Sequence, residues 1–88
     1  MRLHAFVSGS VQGVFFRSNT VLVAKRLGLV GFVKNLVDGR VEVDAYSSKP
    51  KLDELLSFIN KNPGASKVTN INFKFSDENV SPSSFVVA

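Results

Sequence analysis

Arg17 closes the stretch VSGSVQGVFFR, four positions after Gly13 and eight after Gly9. A glycine-containing loop that opens a helix turns successive backbone N–H groups toward one point, and the helix dipole adds positive potential there. Gly9 and Gly13 permit positive φ and close backbone approach. Arg17 supplies a permanently charged fork that matches a phosphate or a carboxylate. The chemistry this set could do is anion binding, with Val11, Val14 and Phe16 as apolar anchors beneath the loop. The same residues also fit a plain turn into a helix, with Arg17 solvated in the first turn. Taken alone, they favour that plainer reading.

Other site chemistries find little to work with. No Gly-Lys-Ser/Thr follows the loop, and no Gly-x-Gly-x-x-Gly is present. There are no cysteines, and one histidine, His4, cannot hold a metal alone. No metal site and no cofactor is expected. His4 reads as a surface or edge side chain, and Asp38 as a hairpin residue. Tyr46 and the eight phenylalanines read as core rather than as a base-stacking platform.

The loop has to be held by elements, and the periodicities predict them. LHAFVS alternates, with Leu3, Ala5 and Val7 on one face and His4, Phe6 and Ser8 on the other: a first strand. From Arg17 the period becomes helical. Phe16, Thr20, Val23, Ala24 and Leu27 share a face, Lys25 and Arg26 fall in the last turn, and Gly28 stands just beyond it. LVGFVKN predicts a second strand, and Asp38-Gly39 a hairpin into RVEVDAY. There Val41, Val43 and Ala45 should face inward, while Arg40, Glu42, Asp44 and Tyr46 face out. Ser47 or Ser48 caps a second helix with Pro50 in its first turn, a stripe of Leu52, Leu55, Leu56 and Ile59, and an end at Asn62-Pro63-Gly64. KVTNINFKF alternates, with Thr69, Ile71, Phe73 and Phe75 on one face, and SFVVA is a short last strand.

The predicted fold class is α+β, a ferredoxin-like βαββαβ sandwich: an antiparallel sheet with two helices on one face, plus a short C-terminal strand. A right-handed crossover makes strands one and two parallel, with strand three between them. Their C-terminal ends then share one end of the sheet. The loop after strand one and Asn35, at the end of strand two, should meet there beside the N-terminus of helix one.

The chain has 88 residues, 44% hydrophobic and 20% charged, which predicts one domain over 1–88. Its longest aliphatic run, residues 21–24, is far short of the ~20 residues of a membrane span. The N-terminus shows no signal-peptide h-region, so a cytoplasmic protein without membrane association is expected. Asn79-Val80-Ser81 matches a glycosylation sequon, without meaning in that compartment. A net charge of +4, with basic residues spread along the chain, fits attraction of some anion and does not by itself favour nucleic acid.

At this point the residues carry a family resemblance. The run from Gly9 to Arg17, GSVQGVFFR, resembles the first signature of the acylphosphatase family. Gly31-Phe32-Val33-Lys34-Asn35, followed by Gly39 and Val41, resembles the second. The resemblance runs over residues 7–46; the second half matches in layout. One departure is Ser47, where the family's second signature usually ends in glycine, outside the cradle. The resemblance implies hydrolysis of a carboxylic–phosphoric anhydride to a carboxylate and inorganic phosphate. It implies that Arg17 binds the phosphoryl group with the loop amides of Ser10, Val11, Gln12, Gly13, Val14, Phe15 and Phe16. It also implies that Asn35 positions the attacking water, and that Thr20 lies close to the site. The partners it implies are a small-molecule acyl phosphate and phosphate as product and competitive ligand, on a monomer that binds no nucleic acid.

The chemistry agrees with what the motifs lack. They offer no base, nucleophile or metal-binding carboxylates, which would hamper a phosphate monoester. An acyl phosphate expels a carboxylate whose conjugate acid has a pKa of only ~4, so no general acid is needed. A loose phosphoryl-transfer transition state asks mainly for positioning and charge stabilisation. The alternative is a non-catalytic ferredoxin-like module that recognises RNA, phosphate or carbamoyl phosphate. RNA binding on the open sheet wants aromatics on the central strands, and strand three offers one beside two acids.

Overall fold

The alternating N-terminal run forms β1 (Arg2–Ser10). It is followed by α1 (Phe16–Arg26), β2 (Val30–Asn35), β3 (Val41–Tyr46), α2 (Lys49–Ile59), β4 (Lys67–Ser76) and β5 (Phe85–Val87). These come from a computed structural model that describes residues 1–78 and 82–88. The sequon Asn79-Val80-Ser81 lies outside the described residues.

The five strands are ordered β4-β1-β3-β2-β5. β1 and β2 both pair antiparallel with β3, so they run parallel to each other with β3 between them, as predicted. Leu3, Ala5, Val7, Val41, Val43 and Ala45 are fully buried on the face that carries the helices. α2 closes that face with Leu52, Leu55 and Ile59, also fully buried. Each such aliphatic side chain contributes about 1.5–3 kcal/mol relative to exposure. α1 ends as its sequence predicts. Lys25 and Arg26 occupy the last turn, Gly28 takes φ 74°, and the N–H of Leu29 reaches back to the Ala24 carbonyl. Ser48 is the residue that precedes α2, with Pro50 in the first turn, but its side chain makes no capping bond.

Four expectations need correction. The sheet is mixed rather than antiparallel throughout, because β5 pairs in parallel with β2, Val87 beside Val33. β4 runs against β1, so the strand that returns after it runs with β1 and β2; β3 already occupies one side of β2, and β5 takes the other. Thr69 leaves the predicted face: the register shift between Ser8 and Gly9 passes it over and turns Val68 toward the core instead, while Phe73, opposite Ala5 on the inner face, stays exposed because β4 is an edge strand. Asp44 faces outward as predicted but is buried, at 6% exposure, under Arg2. The phenylalanines are not uniformly core: Phe16 and Phe85 are buried, whereas Phe15 is 76% exposed.

Candidate active site

The C-terminal ends of β1, β2 and β5 share one end of the sheet, and the loop after β1 crosses it to reach α1. The loop is pinned from three sides. Val11 and Phe16 are almost fully buried beneath it, as anchors should be, and Val14 packs partly against the core. The Gln12 side-chain amide donates to the carbonyls of Leu36 (2.7 Å) and Arg40 (2.9 Å), tying the loop to the β2–β3 hairpin. From the other side, the N–H of Ala65 donates to the Val14 carbonyl. There Gly64 comes so close that a Cβ would lie 2.6 Å from that carbonyl oxygen.

Held in this way, the loop takes an uncommon backbone path. Gly13 has φ 71°, and Phe15, the residue before α1, has φ 64°. Phe15 has a left-handed conformation that costs a non-glycine residue about 1–2 kcal/mol. Its carbonyl accepts from the Asn19 amide side chain (2.8 Å), the Ser18 hydroxyl (3.2 Å) and the Asn19 N–H (3.2 Å), which fix it there. Among the described residues, no backbone N–H of residues 12–18 donates to a carbonyl or a side chain. The first turn of α1 holds no acidic residue. Arg17 is half-buried and makes no hydrogen bond or ion pair with any described residue. A run of unengaged amides, a helix N-terminus and an uncompensated guanidinium converge on one place.

A cavity of about 340 Å³ opens there. Of the residues expected to bind substrate, Val11, Gly13, Phe15, Phe16 and Arg17 line it. Ser18 and Val87 line it as well, and were not anticipated from sequence. Val87 arrives through the pairing of β5, which no local pattern encodes. The remaining candidates do not line the cavity. Ser10 ends β1 in solvent, the Gln12 side chain is engaged on the hairpin, and Val14 turns to the core. Thr20 is fully buried, and its hydroxyl donates to the Phe16 carbonyl (2.8 Å) within the helix. It therefore supports the first turn and presents no surface to a substrate. Gly9 is a strand residue opposite Val68, at the register shift between β1 and β4, rather than part of the cradle.

Asn35 ends β2 on the inner face, across from Val41. Its Oδ1 is buried and has no hydrogen-bond partner among the described residues. It does not line the cavity itself, but the carbonyl of the next residue, Leu36, accepts from Gln12, so the loop and the end of β2 are joined. Asp38 serves the hairpin as predicted, accepting the Arg40 N–H at 3.0 Å and the Arg40 Nε at 2.7 Å. That backbone donation, with the guanidinium second, holds its carboxyl below the usual range. His4 lies on the outer face, donating to Glu42 Oε2 at 2.6 Å, away from the loop. The described residues contain no group of three His, Cys, Asp or Glu side chains able to hold a metal ion.

Comparison with known proteins agrees with this geometry. The acylphosphatase family profile matches residues 3–87. An acylphosphatase of Hahella chejuensis is 41% identical over 97% of this chain and 90% of its own. One of Alkalilimnicola ehrlichii is 51% identical over 74% of this chain and 73% of its own. The crystal structure of the Bacillus subtilis acylphosphatase superposes with a TM-score of 0.95 at 32% identity, covering 99% of this chain and 97% of that one. The fold, both sequence signatures and these similarities together make the chain a member of the acylphosphatase family.

Proposed function

We propose that this acylphosphatase holds the phosphoryl group of its substrate on the amides of residues 12–18 and the Arg17 guanidinium. Asn35 orients the attacking water. The water oxygen attacks phosphorus in line, the bond from phosphorus to the acyl oxygen breaks, and the carboxylate departs with its electron pair. The proton of the water passes to a phosphate oxygen of the substrate. Charge on the equatorial oxygens is met by donors that are already oriented, the arrangement that stabilises a loose transition state with least reorganisation. The observation that carries this reading is Arg17: a half-buried guanidinium without a partner among the described residues, beside unengaged amides. A structural arginine at such a place would carry a carboxylate or a carbonyl. Asn35 is uncharged, so its side-chain amide can orient a water without adding charge near the phosphate, and among the described residues no partner engages its buried Oδ1.

The test is hydrolysis of benzoyl phosphate. Arg17→Ala and Arg17→Gln should lower kcat/KM by more than about 100-fold, the cost of removing a charge-assisted hydrogen bond from a transition state. Inorganic phosphate should inhibit the wild type competitively, and far less the Arg17 variants, with the fold intact by circular dichroism. Near-wild-type kinetics in either variant would return Arg17 to a solvated role. The carboxylate leaving group needs no Lewis acid, so turnover should survive exhaustive chelation. Activity abolished by chelation and restored by a divalent ion would overturn the mechanism.

A further inference from the structure

We propose that Phe15, together with Val87, forms an apolar rim that selects acyl phosphates with an uncharged, aromatic or bulky aliphatic acyl group. The inference rests on the phosphate cradle proposed above and adds what the cradle leaves open. Amides and a guanidinium read the phosphate and are blind to the acyl group. With the phosphoryl group on the loop, the acyl group must extend toward the mouth of the cavity.

Three observations say what meets it there. First, both side chains line the cavity and are strongly exposed, Phe15 at 76% and Val87 at 50%. Phe15 belongs to α1's approach, and Val87 to β5 on the face shared with Val33 and Phe85, so the two reach the mouth from different elements. Second, Phe15 combines left-handed backbone with an exposed aromatic ring. Neither feature aids folding: the conformation is costly for a phenylalanine, and the ring gains little burial. The carbonyl of Phe15 is held by Ser18 and Asn19, and Gly64 packs so closely that a Cβ there would lie 3.3 Å from the Phe15 Cβ, so the backbone that carries the ring is held in place. Backbone strain that its surroundings over-determine concentrates where ligands bind. Third, among the described residues Arg17 is the one charged residue of the lining. A second anionic group on the acyl portion would meet no further cation there, whereas a flat or branched apolar group finds a ring and a valine to cover it.

The experiment compares kcat/KM for benzoyl and acetyl phosphate in the wild type, Phe15→Asn, Phe15→Leu and Val87→Ala. Asparagine tolerates left-handed backbone, so Phe15→Asn removes the ring while keeping the loop. The ratio of benzoyl to acetyl phosphate cancels any general loss of activity. We expect wild type to favour benzoyl phosphate, and Phe15→Asn to lower that ratio about tenfold, through KM. Phe15→Leu should keep most of the preference, and Val87→Ala should lower it by about threefold. Inhibition by inorganic phosphate, which reports the cradle alone, should change little across the set. A ratio within about twofold of wild type in Phe15→Asn would overturn the proposal. So would equal losses on both substrates with weakened phosphate inhibition, because Phe15 would then be shaping the cradle. Absence of phosphate inhibition in the wild type locates the failure in the cradle, and the rim proposal falls with it.

Discussion

A buried carbonyl oxygen without a donor is costly in a core, typically about 1–3 kcal/mol, and Asn35 Oδ1 is one among the described residues. If the Asn35 side-chain amide serves a water, Asn35→Ala should lower kcat for benzoyl phosphate about 100-fold or more. Phosphate inhibition should move little, since a neutral amide adds no charge to the cradle. Stability should hold or rise, because the orphaned acceptor is gone. Urea unfolding and phosphate inhibition, measured on the same preparation, separate the roles. A loss of stability at constant turnover per folded molecule would make Asn35 a turn residue. Equal losses in phosphate affinity and rate would put it in the cradle. At this scale the sequence is most informative where the loop backbone is built: glycine, the following arginine and the anchors Val11 and Phe16 are visible in one short stretch. For Thr20, helical spacing gives the buried face it shares with Phe16 and Ala24, and its place near the site comes from the family resemblance; the hydroxyl donates to the Phe16 carbonyl of its own helix. For Gln12 the sequence suggests a role for the amide N–H alone. Its side-chain role depends on the Leu36 and Arg40 carbonyls, distant in sequence and brought near only by the sheet.

The loop between α2 and β4 buttresses the cradle without touching the cavity. Gly64 has φ 63°, and a Cβ there would lie 2.6 Å from the Val14 carbonyl oxygen, a backbone atom that cannot swing aside. Gly64→Ala should therefore do two things. Left-handed strain and the clash should together cost about 2–3 kcal/mol, lowering Tm by roughly 10 °C in a domain of this size. Relief of the clash should push the Val14 peptide out of place, so that kcat/KM falls in the molecules that remain folded and phosphate inhibits them less well. Reduced stability with unchanged kinetics would show that the loop bears only on folding. The elements themselves were largely legible, since strand alternation, helical stripes, the Gly28 stop and the Asp38-Gly39 hairpin are local signals. The direction and partner of β5 were not. Three residues of strand carry no mark of parallel or antiparallel pairing, and the answer depends on which side of β2 was still free. Val87 escaped notice as a cavity residue for the same reason.

Across the whole molecule, a net charge of +4 favours anions in general, so selectivity among them has to come from geometry. On the outer face most charges are paired. Arg2 Nε and Nη2 grip the two Asp44 oxygens at 2.7 and 3.0 Å, and Nη1 reaches Glu78 at 3.0 Å. These bonds hold the Arg2 guanidinium protonated even more firmly than usual, Asp44 contributing most. They also fasten β1 to β3 across strands that begin far apart in sequence. Arg2→Met would leave the Asp44 carboxylate buried without its counterion, which should cost about 3 kcal/mol near neutral pH. Acid should narrow that gap. In the wild type, Glu78 is held below its ordinary pKa first by the Ser76 hydroxyl and then by Arg2, and the Arg2 share is missing from the variant. A depressed carboxyl stabilises the fold above its unfolded pKa, near 4, and that contribution disappears as pH falls through the lower folded value. Urea unfolding of wild type and Arg2→Met at pH 7, 4 and 3 should therefore show a difference that is largest at pH 7 and shrinks steadily. The double variant Arg2→Met/Asp44→Leu, which removes the orphaned charge, should recover most of the stability at pH 7. A difference that stays constant with pH, or a double variant no better than the single one, would mean that Arg2 acts through the packing of its aliphatic stem rather than through charge.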